Sequence, residues 1–345
     1  MGVTVGAPLR RGASPFVSWI PRGRTASLVI FIIRRLLWMI PVLFFVIVIT
    51  FVLMHVAPGG PWDREGKQLS PQVVNNLNIK YGLNKPLWEQ FTTYLWGIVH
   101  FDFGDSLRSP GQHVSQRILE SWPYTFTLGV VTFVLLVPVG IGLGVIAALR
   151  QNTLVDYSAL GLATAAASTP NFVLGIFLII VFALGMNNLT GGTFYLSTGG
   201  MPSPWNPFQP ELIMPVITLG ALPTAYIARL TRSSTLDTLR QDFVRTAWAK
   251  GLRARLVVLR HVLKNSLIPV VTALGPTFAF LITGSFIVET LFSIPGIGRS
   301  FVTSIAGRDY TMILGTTILF AFMIAVVNLI VDVLYVFIDP RVRLN

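Results

Sequence analysis

The chain of 345 residues contains no cysteine, so disulfides and thiolate-held metals have no place in it. Its four histidines, His55, His100, His113 and His261, lie far apart and show no metal-ligand spacing. No G-x-x-x-x-G-K-[ST] segment occurs, which excludes ATP binding by a P-loop. A G-x-S-x-G nucleophile elbow is missing too, and no other enzyme site presents itself. Charge is scarce: Asp, Glu, Lys and Arg make up 12% of the chain, about half the usual globular share. The charge that remains leans one way, with 26 basic against 14 acidic side chains and a formal net charge of +12.

What fills the space is apolar. Hydrophobic residues account for 53% of the chain, more than a soluble protein of this length could hide. Long uncharged runs cover Leu36–Ala57, Trp122–Leu149, Tyr157–Pro210, Leu212–Ala228, Asn265–Val288 and Thr311–Val331. The third breaks after Met186, where "NNLTGGTFYLSTGGMPSPWNPFQP" takes over. Six spanning helices follow, each near or above the roughly 20 residues that a bilayer requires. The fourth has the shortest uncharged core and carries Pro215 and Pro223, which a span tolerates only where neighbours satisfy the freed backbone groups. The fold class is all-α integral membrane.

The distribution of Lys and Arg sets an expected orientation. Six precede the first span and nine fall between Arg229 and Lys264; with Arg150, Arg341 and Arg343 they put eighteen of 26 on one side. That side is read as cytoplasmic, with both termini on it, and the basic excess as a membrane signature rather than a nucleic-acid one. Residues 1–27, rich in Arg, Pro and Gly, read as a disordered basic extension. Residues 28–57 read as a retained first span, because "HVAPGGP" at its end offers no A-x-A cleavage site.

Residues 58–121 read as an external segment with two short amphipathic helices. Ser70 and Pro71 open the first, which ends near Gly82; Leu87, Phe91, Leu95 and Ile98 line one face of the second. Residues 122–345 form the core, helices two to six. Small residues at Gly140–Gly144, Ala163–Ser168, Gly275 and Gly284 mark close helix contacts. "STPNF" and "LGPTF" place proline inside spans as kinks. Ionisable groups within the spans are few: His55, Glu289 and Asp332, the last one turn from Asn328. A transporter-like chain without an engine needs energy from a partner.

The loop at 237–264 concentrates the basic residues. From Asp242, apolar or small residues recur about every four positions, which is helical, and Gly251 marks a bend or an end. Ala247, Ala249 and Gly251 leave a low-relief surface. Two readings fit: an anchor on anionic lipid, or a docking helix for another protein.

The order of residues resembles a known family. "RTAWAKG" followed by "RHVLKNSLIP" is similar to the EAA loop of ABC importer permeases, in the form carried by the peptide branch. "YGLNKPLWEQF", "FDFGDS", "IAALRQNTLVDY", "IARLTRSS", "ETLFSIPGIG", "RDYTMILG" and "VDVLYVFIDPRVR" look like B-type subunits of oligopeptide permeases, in family order over residues 28–345. The resemblance implies a type I ABC importer permease (MetI-like) fold in a bacterial inner membrane. It also implies a coupling loop made of Asp242, Arg245, Thr246, Ala247, Lys250, Gly251, His261, Asn265 and Pro269. Thr246 and Ala247 would be its small positions, Gly251 its glycine, and Arg245 stands where the general motif has an acid. The implied partners are a homologous C-type permease, two ATPase subunits that use ATP and Mg, and an extracytoplasmic solute-binding protein. Oligopeptide is the implied substrate. Dipeptides, glutathione, nickel or sugars are other cargoes of the family, and an ion-coupled carrier is the reading from a different class.

Overall fold

The computed structural model describes residues 22–63, 69–193 and 196–338, and every described regular element is helical. The basic extension expected at 1–27 lies outside the described residues up to position 21; from Arg22 the chain is already helix. The helices are α1 (Arg22–Val56), α2 (Pro71–Lys80), α3 (Leu87–Val99), α4 (Val114–Leu149), α5 (Leu154–Ser168) and α6 (Asn171–Leu189). Then come α7 (Pro210–Leu239), α8 (Asp242–Ala249), α9 (Ala254–Ile282), α10 (Phe286–Leu291), α11 (Ile297–Gly307) and α12 (Tyr310–Ile338). Six of them, α1, α4, α6, α7, α9 and α12, are long and apolar enough to cross a membrane.

Two expected spans move. The run from Tyr157 to Met186 is not one kinked helix: Thr169 and Pro170 are extended at ψ 127° and 138°, so α5 stops and α6 restarts. Proline disfavours the helical region for the residue before it, and here no neighbouring helix overrides that preference. Pro276 of "LGPTF", by contrast, stays inside the continuous α9. The fifth span also begins earlier and ends sooner than Asn265–Val288. It starts at Ala254 and stops at Ile282, because Gly284 takes a left-handed φ of +79° before α10 begins. A charge ends an uncharged run but not a helix, so Arg255, Arg260 and Lys264 sit on the root of α9 rather than in a loop.

The weakest span by sequence is the centre of the fold. About two-thirds of α7's apolar window is buried (67%), against 11–33% for the other five. A helix walled by protein needs less lipid-facing surface, which is why α7 can carry Pro223, Thr218, Thr231 and Arg232. The side chains of α4 give way to it. A Cβ on Gly140 would stand 2.9 Å from the Thr224 carbonyl oxygen, and one on Gly144 would collide with the Ala228 carbonyl one turn later. Glycines four apart thus seat one backbone against another.

On the face opposite the basic loop, α2 and α3 form a packed cap. Phe91 and Tyr94 of α3 lie against Phe51 and Met54 of α1 and against Ile313 and Leu314 of α12. Ser70 caps α2 by accepting from Val73 N at 3.4 Å. Asp309 ties the segment down: its carboxylate accepts from Ser106 Oγ, from Leu107 N at 3.1 Å and from Met312 N at 3.3 Å. His55 is similarly structural, its ring nitrogens 2.8 Å from the Phe51 carbonyl and 3.4 Å from Gln90 Oε1. Asp332 pairs with Arg35 of α1 at 2.7 Å, and not with Asn328.

Candidate functional site

The basic loop resolves into one short helix and a root. α8 ends in a Schellman motif: Gly251 N donates to Trp248 O at 2.9 Å, and Leu252 N to Ala247 O at 3.5 Å. Gly251 sits at φ +73°, the left-handed conformation that only glycine enters freely. The chain then re-enters α9 at Ala254. Val244 and Ala247 turn inward and pack with Val257 and Val262 of the α9 root, joined by Leu239 and Leu252. The short helix is therefore fastened to the spans at both ends and along one side.

Ala247 consequently offers no surface. It is 4% exposed, and its small side chain serves close packing on α9 rather than approach by a second protein. The outward face holds Asp242, Arg245, Thr246, Ala249 and Lys250, all exposed. Thr246 Oγ1 donates to its own helix at Asp242 O, 2.9 Å away, and the Arg245–Asp242 pair is loose at 3.6 Å between exposed side chains. His261 and Asn265 lie elsewhere, on the first half of α9, where Asn265 Nδ2 donates to His261 O at 2.8 Å, and Pro269 lies at the middle of that helix. Flanking the buried stripe are Phe243 and Trp248, 40% and 44% exposed. These two aromatics were missed as site residues because helical periodicity groups Phe243 with Val244 and Trp248 with Ala247. Burial separates the members of each pair.

A second device connects this helix to the bundle. Arg232, ten residues before α8, grips Asp156 at the start of α5 with two bonds: Nε to Oδ1 at 2.8 Å and Nη2 to Oδ2 at 2.7 Å. Asn152 N adds a third, to Oδ2 at 3.0 Å. Asp156 is 1% exposed, and the bonded guanidinium holds its carboxyl below the usual carboxylate range against the opposing effect of burial. Two residues nearer α8 along the same helix, Ser234 Oγ donates to Ser266 O of α9 at 2.7 Å. These bonds join α7, which leads directly into α8, to α5 and α9. The signal for Asp156 and Arg232 was present in "IAALRQNTLVDY" and "IARLTRSS", but spacing in sequence says nothing of their pairing.

Six helices long and apolar enough to span a membrane, with a short amphipathic helix between the fourth and fifth, are the frame of a multi-pass membrane protein. The comparisons name the class. Residues 140–344 match the binding-protein-dependent transport system inner membrane component family, and residues 28–129 match the N-terminal domain of such membrane components. The chain belongs to this family and is a multi-pass membrane permease of the ABC importer class. It is 41% identical to the oligopeptide transport system permease protein OppB of Escherichia coli (strain K12), covering 91% of this chain and 99% of that protein. The dipeptide transport system permease protein DppB of Bacillus subtilis (strain 168) is 39% identical, over 91% of this chain and 98% of its own length.

Proposed function

We propose that the chain carries oligopeptides inward across the plasma membrane as one of two homologous permease subunits. Both termini and α8 face the cytoplasm, where two partner ATPase subunits dock, and α8 is the helix that sits in a cleft of one of them. ATP and Mg are used there, not in this chain; a solute-binding protein delivers peptide on the other side. Closure of the ATPases moves α8, the Asp156–Arg232 and Ser234–Ser266 bonds carry the movement into the bundle, and the spans alternate between two access states. The observation that carries this reading is a helix of 8 residues, fixed on one side and ended by a left-handed glycine, that still exposes Phe243 and Trp248. Two bulky aromatics left in water beside a basic surface are what a partner's cleft buries.

The reading is tested on the assembled transporter. Trp248→Asp puts a charge where the cleft should close on an indole. Retention of the ATPase subunits through purification should fall roughly tenfold or more, as loss of an aromatic anchor does at a protein interface. Retention and peptide uptake at wild-type levels in this variant would remove α8 as the docking element.

A further inference from the structure

The face opposite α8 holds an open cleft of about 820 Å³. It forms where three separate connections meet: the first turns of α4, the loop before α7, and the α10–α11 turn. Its walls are flat and weakly selective, supplied by Tyr124, Trp205, Pro123, Pro204 and Pro295. Trp205 is 75% exposed.

The polar groups of the cleft do not balance. Arg117 bonds only neutral partners, Ser109 Oγ at 3.2 Å and Gln112 Oε1 at 3.0 Å. Across from it, Arg299 is half-buried, and its guanidinium makes no hydrogen bond or ion pair to any described residue. Half-buried on the cleft wall, that charge stays open to an incoming anion. Glu120 supplies an anion on the wall but is bonded by Gln116 Nε2 at 2.8 Å.

The unpartnered arginine is also firmly placed. Its backbone N donates to Glu289 Oε2 at 3.0 Å, while Thr125 Oγ1 of α4 donates to Glu289 Oε1 at 2.9 Å and accepts from Ile297 N at 2.9 Å. Glu289 is fully buried, and side chains on Gly296 or Gly298 would run into its carboxylate. Burial pushes this carboxyl up to about 7, with the bonds from Arg299 N and Thr125 pulling the other way. The turn is thus bolted to α4 from beneath, which fixes the backbone from which the Arg299 side chain reaches the cleft.

We propose that this cleft receives the incoming peptide and that Arg299, with Arg117 lining the same cleft, takes the peptide's C-terminal carboxylate. The proposal rests on the peptide reading above. A carboxylate is the one anionic group that every linear peptide carries, so such a site holds cargo of any sequence while flat walls leave side chains unread. An acidic side chain of the solute-binding protein offers the same chemistry, and the experiment separates the two sources.

The test uses the assembled transporter in nanodiscs without nucleotide or binding protein, with tri-alanine and its C-terminal amide as probes in saturation-transfer NMR. The wild type should hold the free acid roughly tenfold more tightly than the amide, the size of one partly exposed charge-assisted contact. Arg299→Gln should erase that preference without weakening the amide, and Arg299→Lys should restore part of it. The variant keeps the backbone N–H that anchors Glu289, so the assembled complex should purify normally. Preference unchanged in Arg299→Gln, or no preference in the wild type, overturns the proposal. So does a variant that leaves tri-alanine binding intact but loses affinity for peptide-free binding protein, because the carboxylate then comes from that partner. Wild-type transporter that takes up no peptide at all would instead strike the reading on which the proposal rests.

Discussion

Gly251→Asp should leave the protein inserted in the membrane and abolish ATP-driven uptake. The φ of +73° at this position costs a side-chain-bearing residue about 1–2 kcal/mol, and the Schellman bonds at 2.9 and 3.5 Å depend on it. That cost is local and too small to unfold six packed spans, so insertion survives. What changes is the end of α8: the turn re-forms, and a carboxylate enters the surface around Trp248 and Lys250. Gly251→Ala separates the two causes. A Cβ at this position meets no atom within 4 Å, so alanine brings strain without bulk or charge and should slow uptake rather than end it. Uptake assays on both variants, with ATPase retention measured alongside, decide the matter. Equal and near-complete loss in Asp and Ala would make helix termination, not the docking surface, the function of the glycine.

Asp156→Ala should produce the largest loss of stability of any single change on the basic face. It strips a half-buried guanidinium of both its bonds, and leaving one partner of a buried pair unmatched costs about 3 kcal/mol. The contribution of Asp156 has a definite pH sense. Its folded value lies below the ordinary carboxylate range, so the stabilisation is in place above that range and is lost as pH falls through the lowered value. Thermal unfolding of the purified transporter should therefore show a lower midpoint for the variant at neutral pH and a shrinking difference in acid. Adding Arg232→Met removes the orphaned charge as well and should recover much of the midpoint. Uptake should not recover with it, because the link between α7 and α5 remains cut. Full uptake in the double variant would show that the pair only stabilises.

The sequence was most legible where lipid dictates composition. Uncharged runs and the bias of Lys and Arg yield six spans, since hydrocarbon admits few charges and every one is visible in the chain. It was least legible where protein replaces lipid. α7 looked like the poorest span because its uncharged core is short and carries Pro215 and Pro223; the protein that walls it and the Asp156 that pairs with Arg232 are named by no local pattern. The division of "DFVRTAWAKGLRARLVVLRHVLKNSLIP" followed the same rule. Gly251 announced an end, because left-handed backbone has a residue signature, and the helix does end beside it. Which side of that helix is buried had no such signature: Ala247 and Phe243 traded the places that small size and large size suggest, since α9's root needed a small residue against it. Arg299 was hidden for a further reason. It is one of few basic residues on its side, and only the folded turn shows that its charge is left unmatched.

The chain's lack of cysteine makes the central claim directly measurable. Thr246→Cys places a single thiol on the exposed face of α8, where a thiol-directed photo-crosslinker can be attached in the assembled transporter. The account predicts a crosslink to an ATPase subunit, with a yield that differs between the nucleotide-free and ATP-trapped states. Crosslinks to lipid alone, in a transporter that still takes up peptide, would contradict it.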